Sequence, residues 1–283
     1  MSTRTLVDHG SFYEGPRWHD GRWWVSDFFR HAVFSFDTDG GDLREELRLE
    51  GNGQPSGLGW TPDGDLLVVS MLDQRLLRRG ADGAVSVVAD FSEHCRGPAN
   101  DMVVAADGRA YIGNFGFDMS GGAPTTANLV RVDPDGSVHV AATEMGFPNG
   151  SVITPDGSTL IVGESMAGRY TAFTIGADGS LSDRRVWAEV PGVFPDGCAL
   201  DAAGRIWCAN AGGRGCVLVA EGGEVVDELP SPQGLRTYAC MLGGPEGRTL
   251  LQCCAPDFGE HRADATDACL LATEVTTAHA GRP

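Results

Sequence analysis

Four side chains with hard oxygen donors stand at matched distances from a turn that the chain repeats. Counting back eight residues from Gly108, Gly157 and Gly204 gives Asn100, Asn149 and Asp196, and seven back from Gly21 gives Glu14. The eight-residue count from Gly64 and Gly247 gives Ser56 and Ala239, so four of six equivalent places carry a carboxylate or a carboxamide. Two carboxylates and two amide oxygens aimed at one point make an all-oxygen cage, suited to Ca²⁺, Mg²⁺ or Mn²⁺ with water or substrate in the remaining positions. Without a cation the two carboxylates repel, and one of them holds its proton above the ordinary range. Asn or Asp before glycine is also a common turn signal. That accounts for Asn149-Gly150 and Asp196-Gly197 taken singly, but not for Glu14 and Asn100 falling on the same count.

The count has meaning because the chain repeats. HDGRWWVSD, PDGDLLVVS, ADGRAYIGN, PDGSTLIVGE, AAGRIWCAN and PEGRTLLQC each place a glycine turn before a short apolar run. The glycines Gly21, Gly64, Gly108, Gly157, Gly204 and Gly247 are spaced by 43, 44, 49, 47 and 43 residues. A period in the forties marks an array of one supersecondary unit. Asp-Gly between apolar runs is a hairpin signal of the type I′ kind. A second hairpin turn follows within each period, among them DTDGGD (37–42), DPDGSV (133–138) and AEGGEV (220–225). Two hairpins per period, six times, predict an all-β chain: a six-bladed β-propeller with four antiparallel strands per blade. The first strand of each blade lines the central channel, which is where the four oxygen-bearing residues fall. The last period lacks a fourth strand after CLLATEV (269–275), and Arg4–Asp8 is otherwise unpaired. This N-terminal strand is expected to close the last blade and cover its edge. One domain, 1–283, is expected, with 276–283 as a loose tail.

The stretches EGPRW (14–18), ND (100–101), FPNGSVITPDGSTLIVGES (147–165) and FPDGCALDAAGRIWCAN (194–210) resemble the senescence-marker-protein/gluconolactonase family of regucalcin-like six-bladed propellers. The resemblance extends over nearly the whole chain. It implies one divalent cation in the channel, Ca²⁺ foremost, with Mn²⁺, Mg²⁺ or Zn²⁺ as alternatives. It also implies hydrolysis of sugar lactones or, in some members, organophosphates. By resemblance, Glu14, Asn149 and Asp196 are direct metal ligands, Asn100 lies near metal and substrate, and Asp196 also serves as general base. Asp118, in NFGFD, falls roughly where the family places a substrate-contacting acid. In the implied reaction the cation polarises a lactone carbonyl while Asp196 takes a proton from the attacking water. The chain departs from the family at one place: many sugar lactonases carry an arginine two residues before the Asn100 equivalent, and here that residue is Pro98, with Arg96 out of register. This bears on a gluconolactone-type substrate more than on hydrolysis itself. A phosphotriesterase-like hydrolase and a non-enzymatic metal-binding or interaction propeller are the alternatives.

Composition narrows the field further. All 21 basic residues are arginine, which excludes Schiff-base and Walker-type lysine chemistry. A net charge of −18 with no basic stripe argues against nucleic acid and for a small-molecule substrate. No apolar run approaches a membrane span, and the first dozen residues are polar, so a cytoplasmic protein with no membrane partner is expected; oligomeric state is left open. The eight cysteines contain no Cys-x-x-Cys and read as reduced, mostly buried thiols. Gly163-Glu164-Ser165 approaches a nucleophile elbow, but the strand-like sequence after it removes the helix such an elbow requires. His31, in FFRHAV, is the one histidine placed where a loop could reach the channel mouth, and it is a candidate substrate contact.

Overall fold

The computed structural model describes residues 2–118, 121–213 and 215–283. Among these, six four-stranded antiparallel sheets are arranged as the blades of a propeller, and the only helices are three short 3₁₀ turns. The inner strands are Tyr13–His19, Pro55–Trp60, Ala99–Val104, Pro148–Ile153, Pro195–Leu200 and Arg236–Gly243. Strands near the channel are buried on both faces, as Ala99–Val104 and Pro148–Ile153 are throughout. Outer strands such as Arg44–Arg48 and Leu181–Glu189 are mostly exposed and correspondingly polar. Five blades take their strands in chain order. The sixth is completed by Thr3–Gly10, which runs antiparallel to Ala268–Glu274 with Thr3 opposite Thr273 and Arg4 opposite Ala272. The first strand thus closes the ring as the unpaired RTLVD predicted, and the sheet edge is covered.

The repeat glycines all adopt φ between +67° and +91°, a region open to glycine at no steric cost. Only Asp20-Gly21 has both residues at positive φ, the I′ form. At the other five turns the residue before the glycine stays at negative φ. At Gly64, for example, the glycine N–H bonds the Thr61 carbonyl and the Thr61 N–H bonds Asp65. The hairpin signal therefore located the turns correctly but mostly misassigned their type.

Residues 276–283, expected as a loose tail, are instead fastened across one end of the propeller. Backbone hydrogen bonds join His279 to Gly247, Ala278 to Ala202, Ala280 to Leu200, and Arg282 to Ile153 in both directions. The tail thus ties blades six, five and four together. A Cβ on Gly281 (φ +70°) would lie 2.2 Å from the Ile153 carbonyl oxygen, so the approach requires glycine. The segment TTAHAGRP carries no periodic signal, because it pairs with single residues in the turns and at the strand ends of three blades rather than along one strand.

Candidate functional site

Glu14, Ser56, Asn100, Asn149 and Asp196 each occupy the second position of an inner strand, and Ala239 stands at the same rung of the sixth. All six strands carry a one-residue bulge there. Between Pro148 and Ser151, for instance, three steps oppose two on the partner, Glu164 to Val162, and the same slip occurs between Glu14 and Arg17 and between Pro195 and Cys198. A bulge bends a strand and re-aims its side chains, so the repeated slip turns one residue per blade towards the axis.

The glycines that follow have a reason other than a turn. A Cβ on Gly150 would sit 2.4 Å from the Asp196 carbonyl oxygen, and one on Gly197 would sit 2.6 Å from Ala239. Neighbouring inner strands touch backbone to backbone at this rung, so Asn-Gly and Asp-Gly here are mid-strand close approaches. The turn reading of these dipeptides does not hold.

The four oxygen-bearing side chains are buried, each with 5–8% of its surface open. The inner strands of blades one and five approach across the channel. Burial and the facing Asp196 push the Glu14 carboxyl well above its ordinary range, against a Gly15 N–H bond that lowers it. Burial pushes Asp196 up to about 8, against hydrogen bonds from Asn149 and the Gly197 N–H. Among the described residues no arginine or histidine forms an ion pair with either carboxylate. Arg17, nearest in sequence, spends its donors on Asp101, the carbonyls of Met102 and Leu58, and its neighbour Pro16.

Two amides complete the ring. Ser165 donates its hydroxyl proton to the Pro195 carbonyl (2.5 Å) and therefore accepts from Asn149 Nδ2 at 3.2 Å. This orients the amide and leaves Asn149 Oδ1 as the free acceptor. Asn100 Nδ2 is buried with no hydrogen-bond partner, an exposed cost that a ligand oxygen would remove. Two uncompensated carboxylates and a carboxamide oxygen fit a hard divalent cation, and the Asn100 donor fits a substrate oxygen. Among the described residues no group of three or more His, Cys, Asp or Glu is placed to hold a metal ion. The ring has only two such residues, the remaining donors being amides.

The other candidates fall elsewhere. Asp118 is exposed on the mouth-side connection of blade three. His31 lies in a mouth-side turn at φ +55°, with Nδ1 2.5 Å from the Gly53 carbonyl, so it ties blade one to the approach of blade two. Ser165 is buried and holds Asn149, a positioning role that the elbow test could not reveal. Phe28 and Phe115 are buried at the mouth, with Phe29 and Phe117 packed partly open over them. Cys198 and Cys208 are direct cross-strand partners, and both are free thiols.

Sequence reasoning missed Arg17 and Asp101, a buried pair just beyond the ring at 2.5 Å. Both lie inside the quoted EGPRW and ND motifs. It also missed a second ladder: Asp27, Asn114, Glu164 and Asn210 end the second strands and accept mouth-loop N–H groups from Ser11 and Phe12, Gly116, Gly146 and Phe194. The signal was present, since those repeats end in WVSD, IGN, VGE and CAN.

A cavity of about 990 Å³ opens at the opposite end. Trp18, His19, Trp60 and Arg282 are among its lining residues. Arg17 stands between it and the ring.

A bulged, oxygen-rich ring on a closed six-bladed propeller defines a class before any comparison. The family model described as SMP-30/Gluconolactonase/LRE-like region matches residues 12–253, and the chain belongs to that family. It is 28% identical over 281 residues to the pentonolactonase XacC of Haloferax volcanii, covering 94% of this chain and 89% of the relative. It is 29% identical over 200 residues to the 6-deoxy-6-sulfogluconolactonase of Pseudomonas putida, covering 68% of this chain and 66% of the relative. Among solved structures, the calcium-binding protein regucalcin from Agrobacterium tumefaciens shares the fold, with a TM-score of 0.80 at 20% identity, covering 99% of this chain and 95% of that one. Among the described residues no helix is long and apolar enough to cross a membrane.

Proposed function

We propose that the protein is a divalent-cation-dependent hydrolase of lactones, acting on a small-molecule substrate at the ring formed by Glu14, Asn100, Asn149 and Asp196. The observation that carries this reading is the pair of buried carboxylates without counter-charge, which share one rung with two carboxamides. The lactonase names of its relatives support the reaction type, and the calcium-binding regucalcin supports Ca²⁺ as the first cation to try.

Glu14, Asn149 Oδ1 and Asp196 are the groups that would hold the cation. When bound, it supplies positive charge that polarises a lactone carbonyl and stabilises the developing oxyanion. Asn100 donates from Nδ2 to a substrate oxygen. Asp196 takes the proton of the attacking water. The Gly197 N–H fixes Oδ1 of that carboxylate.

A panel of lactones assayed with added Ca²⁺, Mn²⁺, Mg²⁺ and Zn²⁺, against an EDTA-treated control, tests the reading. Turnover that depends on cation is expected. Full activity after exhaustive chelation overturns the metal dependence. Retained metal binding with no turnover of any lactone overturns the hydrolase and leaves a non-enzymatic metal-binding propeller.

A further inference from the structure

We infer that the ring acts on lactones or related esters whose substituent is apolar or aromatic, in preference to polyhydroxylated sugar lactones. The inference rests on the lactonase reading above and names its substrate class. It comes from a collar of side chains at the same end of the inner strands as the carboxylates. Phe28, Met71 and Phe115 follow the second strands of blades one, two and three, while Phe147 and Tyr238 come from the approaches to blades four and six. Although drawn from five blades, these side chains belong to one apolar cluster, which continues from the mouth into the cores of blades one, five and six. Phe29, Phe117 and Phe258 pack on it from outside, partly open. Leu72, Met166 and Phe194 are about half exposed on mouth-side connections, and single apolar residues on three of these connections extend the collar outward.

Phe147 gives the collar a second, independent mark. It lies two residues before Asn149 at φ +61°, a conformation uncommon for a bulky side chain, and strain of this kind gathers at functional sites. Its ring stacks on Phe115 at 4.4 Å, with Phe117 at 6.1 Å.

A sugar substrate needs many hydrogen-bonding groups at the mouth, and four polar side chains there are already engaged with the backbone. Asp27 accepts from Ser11 and Phe12, Asn114 bonds Gly116 and Asn128, Gln74 donates to Gly97, and His31 bonds Gly53. Pro98, which has no donor, stands two residues before Asn100. In the ring itself, Asn100 Nδ2 is the buried donor without a partner, matched to one substrate oxygen. An acyl head that meets the Asn100 donor, below a collar that is apolar apart from the Tyr238 hydroxyl, describes an alkyl- or aryl-substituted lactone.

The test compares ring-matched substrates on the cation-loaded protein: δ-lactones carrying alkyl chains of increasing length against glucono-δ-lactone. The value of kcat/KM is expected to rise about three- to fourfold per added methylene over the first few carbons, and to exceed that of the sugar lactone. A flat series, or a better sugar lactone, overturns the inference. Phe117→Ala and Leu72→Ser are expected to flatten the chain-length dependence. Calorimetry with the corresponding lactams, which are not hydrolysed, keeps the two readings separable. Tighter binding of alkyl lactams with no lactone turnover sinks the lactonase and upholds the apolar collar, whereas tighter binding of a polyhydroxylated lactam sinks the collar whatever the turnover.

Discussion

The two ends of the channel are built from the same six strands and treat buried charge in opposite ways. At the mouth, Glu14 and Asp196 face each other without a counter-ion, and burial holds both carboxyls up. One or two rungs deeper, Arg17 and Asp101 are equally buried, but the arginine makes four hydrogen bonds, three of them reaching blades two and three. A void of about 990 Å³ lies beyond the satisfied pair, at the end covered by the tail. The fold closes the far end with an ion pair and hydrogen bonds, and it leaves two buried carboxyls unpaired at the ring, where a ligand can relieve the cost.

The strongest way to break this contrast is at Asp196. Asp196→Asn removes the base and a ligand while relieving the like-charge repulsion. A loss of about 10²–10⁴-fold in kcat/KM is expected, together with a higher melting temperature of the metal-free protein. Kinetics and calorimetry on the same preparation check both halves. Retained activity, or a lower melting temperature, would remove the distinction between the two ends.

The pH dependence of stability sharpens the same point. Asp196 titrates near 8 in the metal-free native chain and near its ordinary value of about 4 when unfolded. Between those values the native state binds more protons than the unfolded one, so stability falls as pH rises. The contribution is fully present below about pH 4 and gone above about pH 8, and the gap between the two values bounds it at roughly 5 kcal/mol. Added cation reverses the slope, because it holds both carboxyls ionised. Denaturant melts of EDTA-treated and Ca²⁺-loaded protein across pH 5–8 read the two slopes. Identical slopes mean that the carboxylates are not the cation's ligands.

Much of this was legible in the sequence, and the part that was not has a physical reason. The six-fold period placed Glu14, Asn100, Asn149 and Asp196 on one rung, because a strand that starts at a fixed distance from its turn presents the same residue to the axis in every blade. What spacing cannot carry is pairing between blades. Arg17 reads as one arginine among 21 until the structure brings Asp101 of blade three beneath it. Ser165 looked like a failed nucleophile because its use, holding the Asn149 amide, depends on a strand from the next blade supplying the Pro195 carbonyl. The collar is hidden for the same reason: phenylalanines that are isolated in sequence become one surface only when the ring closes.

At the far end the contrast predicts a different outcome. Arg17→Met leaves Asp101 buried beside a thioether, and a loss of about 3–5 kcal/mol is expected. The double change Arg17→Met with Asp101→Asn, which removes both charges, should recover much of it. Chemical denaturation measures both variants. A double variant as unstable as the single one would show that packing of the arginine stem, and not its charge, closes the channel floor.

The smallest expected effect is at the tail, where the mouth and the far end differ most in what they ask of the chain. Removing residues 278–283 deletes the backbone bonds to Gly247, Leu200, Ala202 and Ile153. Each is worth about 0.5–1.5 kcal/mol net, less the entropy of ordering the segment, which leaves a loss of roughly 1–3 kcal/mol. The ring and its collar lie at the opposite ends of the inner strands, so kcat and KM should hold while the melting temperature drops. Gly281→Val tests the same contact without truncation, since φ +70° and the 2.2 Å approach to the Ile153 carbonyl admit no Cβ. A truncated chain that keeps its stability would make the tail a passenger. One that keeps its stability but loses turnover would show the two ends coupled through Arg17, contrary to the independence argued from their separate treatment of charge.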